Sequence, residues 1–172
     1  MLETKGNLWD YLGKASVICI TTNGFTKRNG EAVMGRGCAS QAKIRYMGID
    51  RILGRRLAIK GNIPFQIGED QNTLIYSFPV KHESMCNLDK NLIVPHMQNK
   101  IKPGDVIPGW ALKADIDLIA KSAGLMQALA NENNWDSVIL PRPGCGAGEL
   151  TWSNVKPVLK ELLDNRFTAI TY

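Results

Sequence analysis

The sequence predicts an α/β fold with a mixed, largely parallel sheet covered by helices on both faces. Two observations carry this. Short β-branched apolar runs alternate with longer stretches of helical spacing, separated by polar or glycine-rich turns. The chain is also of ordinary globular composition: with 172 residues, 44% hydrophobic and 22% charged, it should bury roughly 70% of its unfolded surface.

The first run, Val17-Ile18-Cys19-Ile20, reads as a buried strand ending at the polar turn Thr21-Thr22-Asn23-Gly24. A loop rich in Gly, Asn and Lys follows, and from Glu31 the spacing turns helical through Ala39, Ala42 and Ile49. Leu57-Ala58-Ile59 and Phe65-Gln66-Ile67 are weaker strand candidates. Leu74-Ile75-Tyr76-Ser77-Phe78 is a clearer one, closed by Pro79. Residues 81–108 are polar, carry three prolines and read as a long irregular connection, a type of segment that often serves function. Leu112, Ile116, Ile119, Ala120, Ala123 and Met126 line one face of a helix over residues 111–131. Ser137-Val138-Ile139-Leu140 is a short buried strand. Val155, Leu159, Leu162 and Leu163 mark a last helix, and residues 167–172 a closing strand. With no internal repeat and no linker, residues 1–172 read as a single domain.

Charge and cysteine usage narrow the field. The net charge of +5 comes from 21 Lys and Arg against 16 Asp and Glu, scattered without a phosphate-tracking arm. It suits an anionic ligand and does not by itself make a nucleic-acid binder. Cys19, Cys38, Cys86 and Cys145 are far apart, so neither a zinc site nor a disulfide framework is expected, and a reducing compartment fits. No leader-type apolar core and no membrane-length apolar run is seen. The expectation is a soluble, cytoplasmic monomer without membrane contact, metal or cofactor.

In open α/β sheets ligands bind beyond the carboxyl ends of the strands, and two loops there can cradle phosphate. One holds Asn23-Gly24, Gly30 and Met34-Gly35-Arg36-Gly37. The other is Pro143-Gly144-Cys145-Gly146-Ala147-Gly148. Glycines let backbone N–H groups approach an anion, and a following helix start adds its positive end. Either cluster alone could simply make a tight turn. Two, each after a buried strand, point to a diphosphate held between them.

The stretch from Gly144 to Val155, Gly-Cys-Gly-Ala-Gly-Glu-Leu-Thr-Trp-Ser-Asn-Val, closely resembles the Gly-Cys-Gly-x-Gly-x-Leu-x-Trp-x-x-Val loop of macro domains, the ADP-ribose-binding fold. Lys5-Gly6-Asn7-Leu8, Ile18 to Asn23 and Met34-Gly35-Arg36-Gly37-Cys38-Ala39 line up in order with that family's earlier segments. The resemblance spans essentially the whole chain and implies a three-layer α/β/α macro domain.

It also implies residue roles. Asn7 stands where many macro domains have an aspartate that accepts from the adenine amino group, with Leu8 beside it. Asn7 could equally cap a helix. Asn23 would bond the distal ribose, or form the turn. Gly35 and Gly37 would donate backbone N–H groups to the ligand, while Arg36 would pair with a phosphate or point into water. Pro143, Gly144, Cys145, Gly146, Ala147, Gly148, Glu149 and Leu150 would wrap the diphosphate and distal ribose, with Trp152 packing the loop against the core rather than touching ligand.

Ser77-Phe78-Pro79-Val80-Lys81-His82 is similar to the strand-end lysine segment of a branch containing DNA ADP-ribosylation antitoxins and glutamate ADP-ribose hydrolases. By that resemblance Lys81 acts on the anomeric carbon of the distal ribose, with Asn23 as its catalytic companion. An ordinary surface lysine is the other reading. The lysine–aspartate pair of one hydrolase branch would need an aspartate where Gly148 stands, so the antitoxin-like pattern fits better. His82 and His96 are candidates for acid–base assistance or solvated loop residues. The implied ligand is ADP-ribose or an ADP-ribosylated substrate, nucleic acid among the carriers. The implied activity is hydrolysis at the anomeric carbon, including ADP-ribose 1''-phosphate phosphatase action, with a non-catalytic ADP-ribose reader as the alternative.

Overall fold

The computed structural model describes residues 1–86 and 89–171. Its strands are β1 (Leu2–Lys5), β2 (Val17–Asn23), β3 (Gln66–Asp70), β4 (Thr73–Lys81), β5 (Ser84–Cys86), β6 (Val106–Pro108), β7 (Val138–Pro141) and β8 (Phe167–Thr171). The α-helices are α1 (Gly37–Arg45), α2 (Ile49–Lys60), α3 (Ile116–Glu132) and α4 (Trp152–Leu162). Six strands form one sheet in the order β1-β8-β7-β2-β4-β3, every neighbouring pair parallel except β3 with β4. On one face Ile18, Ile20 and Ile75 bury against Ala39 and Ala42 of α1 and Leu53 and Leu57 of α2. On the other, Cys19, Phe78 and Leu140 bury against Ile119 and Met126 of α3 and Val155 and Leu159 of α4. The predicted three layers and mixed, mostly parallel sheet are present.

Local expectations differ in five places. The helix expected from Glu31 begins at Gly37, because residues 31–33 are tied elsewhere: the Ala32 N–H donates to the Asp50 carbonyl at 2.9 Å, and the Val33 N–H to that of Phe25 at 3.3 Å. Leu57-Ala58-Ile59 lies in α2, where Ile49, Leu53 and Leu57 bury at four-residue spacing and Ile59 is left exposed. The strand expected to close at Pro79 continues to Lys81. The Ser77 N–H donates to the Phe65 carbonyl at 2.9 Å, and Pro79, two residues on, faces the same way beyond the start of β3. Its missing N–H therefore costs no sheet bond. Residues 81–108 are not irregular throughout: β5 and β6 pair antiparallel, and Ile93, Ile101 and Ile107 bury with Ala111 and Leu112 in a small core of their own. The third helix starts at Ile116, where the Asp115 carboxylate caps it. The sequence pattern does not signal β1, and Tyr172 of the closing strand lies outside the described residues.

Parallel pairing brings the carboxyl ends of β1, β8, β7, β2 and β4 to one edge of the sheet, and there the chain opens into a cavity of about 720 Å³. Among the described residues no helix is long and apolar enough to cross a membrane.

Candidate functional site

The cavity floor is made by strand ends. Asn23 ends β2 and sits opposite Lys81 at the end of β4. Asn23 Nδ2 donates to the Val33 carbonyl at 2.8 Å, and its Oδ1 accepts from Phe25 N–H at 3.0 Å. The side chain thus forms the turn and holds the first glycine loop while still bordering the cavity. Next to it, the Thr22 hydroxyl is buried against the cavity and has no hydrogen-bond partner among the described residues. A buried hydroxyl without a partner is costly unless something else supplies one.

Lys81 is 7% exposed. Asn62 Nδ2 and Gly24 N–H both donate to its carbonyl, at 2.9 and 3.2 Å, and fix its backbone. Its Nζ reaches across the cavity end to donate to the carbonyls of Ala147 at 2.8 Å and Trp110 at 3.4 Å. Burial, with the Arg36 charge as a lesser cause, brings the amine down to about 8, and Glu149 opposes the shift. The two carbonyls accept two of its N–H bonds and hold the nitrogen at the cavity end. This is not a solvated surface lysine.

One wall is the first loop, where Gly35, Arg36 and Gly37 all border the cavity. Gly37 has φ +56° and opens α1, whose first-turn N–H groups receive no side-chain cap from Arg36. The Arg36 guanidinium meets His96 Nε2 at 3.3 Å across the mouth. The facing wall is the second loop: Gly144, Cys145, Gly146, Ala147, Gly148 and Leu150 border the cavity. A Cβ on Gly148 would lie 2.5 Å from the Gly144 carbonyl oxygen and 2.7 Å from the Ala114 side chain, so this backbone admits no aspartate there.

Other expected site residues stand apart. Asn7 does not border the cavity; its Oδ1 accepts from Trp9 N–H at 3.1 Å and caps the 3-10 helix Leu8–Tyr11, while Leu8 does border it. Pro143 is buried behind the loop, and Glu149 faces a shallow depression next to the cavity. Trp152 packs on the α3–α4 side as expected and in addition borders the cavity. Of the histidines, His96 lines the mouth, whereas His82 pairs its Nε2 with the Asp115 carboxylate at 2.7 Å. Sequence reading missed Thr22, Trp110, Arg142, Ile170 and Thr171. Four of these, Thr22, Arg142, Ile170 and Thr171, sit within one residue of a strand end, the signal that could have found them. Among the described residues no Asp or Glu borders the cavity, and no three His, Cys, Asp or Glu side chains group to hold a metal.

The fold recurs in solved structures. The macrodomain of Mycobacterium tuberculosis DarG superposes with a TM-score of 0.67 at 19% identity, covering 99% of this chain and 97% of that one. The macrodomain of Thermus aquaticus DarG gives 0.67 at 18%, with 99% and 97% covered. This chain has the macrodomain fold. Thermosipho africanus DarTG, solved in complex with ADP-ribose, gives 0.68 at 16%; 98% of this chain is covered but 41% of that longer chain. No family model and no curated protein matches the sequence.

Proposed function

We propose that this macrodomain binds ADP-ribose between its two glycine loops and cleaves the bond at the anomeric carbon of the distal ribose. The observation that carries the reading is the buried Lys81 amine, hydrogen-bonded to the second glycine loop at the cavity end where a sugar would follow the diphosphate. A cavity of about 720 Å³ suits a nucleotide-sized ligand. The uncapped start of α1 and the N–H groups of both loops suit a diphosphate. Thr22 and Asn23 would take ribose hydroxyls. Lys81 as a neutral amine would attack the anomeric carbon, and the bond to the departing group would break with its electron pair leaving on that group. Water would then release ADP-ribose and return the amine.

The carrier of the ADP-ribose is a nucleobase of nucleic acid, a protein carboxylate ester or a terminal phosphate. Calorimetry with ADP-ribose tests binding; none at millimolar ligand overturns the reading. Incubation with ADP-ribosylated single-stranded DNA, an ADP-ribosylated glutamate peptide and ADP-ribose 1''-phosphate identifies the substrate. Release from one of them that disappears in Lys81→Ala is the expected result. Binding with release from none would leave a non-catalytic reader.

A further inference from the structure

The lysine strand ends irregularly. β2 pairs Thr22 with Pro79 but Asn23 with Lys81, so Val80 is an extra residue on the β4 side, a bulge at the last step of the ladder. In an even ladder Val80 would stand opposite Asn23, and Lys81 would lie past the tip of β2. The bulge brings Lys81 level with Asn23 and bends β4 as it leaves the sheet.

Two sets of hydrogen bonds hold this bent tip. From the α3 side, the Ser122 hydroxyl donates to the Pro79 carbonyl at 2.8 Å, and the Asp115 N–H to the Val80 carbonyl at 2.9 Å. From the α2 side comes Asn62. Gly61 ends α2 with φ +75°, its N–H donating to the Leu57 carbonyl. The next residue, Asn62, donates through Nδ2 to the Lys81 carbonyl at 2.9 Å. Gly24 makes room for that amide: a Cβ there would lie 2.8 Å from Asn62 Nδ2.

Folding alone does not account for an asparagine here. The Lys81 carbonyl already accepts the Gly24 N–H at 3.2 Å, so the Asn62 amide is a second donor to it. The other end of the amide is a liability, because Oδ1 is closed to solvent and has no hydrogen-bond partner among the described residues. A leucine of similar shape would remove that buried acceptor without orphaning the Lys81 carbonyl. Asn62 does not border the cavity, so it does not hold a ligand directly. What it holds is the residue whose amine reaches Ala147 and Trp110.

We propose, resting on the function proposed above, that Asn62 is a positioning residue: by gripping the bulged tip of β4 it aims the Lys81 amine at the cavity end. The cleavage step, rather than binding or folding, then depends on it.

The full chain is compared as wild type, Asn62→Leu and Asn62→Ala. Calorimetry measures ADP-ribose affinity, and the three-substrate panel measures release. NMR of isotope-labelled lysine follows the Lys81 amine, identified as the signal missing from Lys81→Met. The variants should bind ADP-ribose within about twofold of wild type. Their rate at saturating substrate should fall about tenfold to a hundredfold, the scale of loss when a reacting group is out of place. Their Lys81 amine should titrate above about 8, closer to the ordinary 10.5, because a released tip lets it leave the buried position that lowers it. Arg36 and Glu149, the two charges acting on that amine, are unchanged in the variants, so a move reports its burial.

A purely structural role would lower the melting temperature and leave titration and rate alone. An unmoved titration in Asn62→Leu therefore overturns the assignment, whatever the rate does. Should Asn62→Leu not fold, Asn62→Ala carries the comparison; failure of both to fold would make Asn62 structural and overturn it too. A wild type that releases nothing from any substrate removes the proposed function, while a titration that still moves keeps Asn62 as the residue that sets the amine.

Discussion

Lys81 Nζ lies 2.8 Å from the carbonyl oxygen of Ala147, joining the tip of β4 to the second glycine loop across the end of the cavity. The contact places an amine with a depressed proton affinity where the two loops converge. On the proposed reading its protonation state would set the rate as well as contribute to stability.

With Lys81 brought to about 8 by burial, about a tenth of it is neutral at pH 7. Release of ADP-ribose should rise with pH and level off above about 8, if the amine attacks. A rate that falls through that pH would show that the ammonium is the working form. Stability has its own signature. The folded amine gives up its proton near 8 and the unfolded one near 10.5, so the unfolded chain holds more protons between them. The slope contributed by Lys81 is therefore stabilising as pH climbs from about 8 to about 10.5. Lys81→Met should lack that slope in urea titrations across the window.

Gly146 has open space where a Cβ would stand and borders the cavity between the loops. Gly146→Glu should fold normally, because surface changes of this kind cost within about 0.5 kcal/mol. Its carboxylate would face the diphosphate. Repulsion at contact distance is worth about 1 kcal/mol or more, so ADP-ribose affinity should drop at least about tenfold once the steric loss is added. A melting curve beside a calorimetric titration measures both, and unchanged affinity would mean that the diphosphate lies elsewhere.

Gly148 behaves in the opposite way. A methyl group on its Cα would stand 2.5 Å from the Gly144 carbonyl oxygen, a distance no side chain tolerates. Gly148→Ala should cost about 1–3 kcal/mol in chemical denaturation, the usual range for overpacking. Wild-type stability in that variant would show that the loop rearranges freely.

How far the site could be read in advance follows from the range of each signal. The two glycine loops were legible because glycine clusters are local patterns, whereas Lys81 stands out through its resemblance to a strand-end lysine segment, the strand itself being expected to close at Pro79. The β5–β6 ribbon was not legible: its strands are three residues each and pair Ser84 with Pro108 across a long interval, which no local periodicity records. Leu57-Ala58-Ile59 misled because a short apolar run looks alike in strand and helix, and only Ile49 and Leu53 upstream decide it. Arg142 escaped notice since the groups it touches, Trp152 and Glu3, lie ten residues on and near the start of the chain.

Asp115 links the helix behind the site to the lysine strand. Its Oδ1 accepts from the N–H groups of Asp117 at 2.7 Å and Leu118 at 3.2 Å, capping α3, and its Oδ2 pairs with His82 next to Lys81. Its own N–H donates to the Val80 carbonyl at 2.9 Å. Burial opposes ionisation of this carboxyl, but the His82 and backbone hydrogen bonds outweigh it and hold the group below its usual 3.8. A depressed carboxylate stabilises the fold at pH values above the unfolded 3.8 and loses that contribution as pH falls through the lower folded value. Asp115→Ala should therefore cost about 1 kcal/mol at neutral pH, as loss of a helix cap does. The gap between wild type and variant should narrow as pH is lowered below 3.8. Urea titrations at pH 7 and pH 3 measure it. A gap that stays constant would mean that the carboxylate's charge contributes nothing and that the cap acts through its geometry alone.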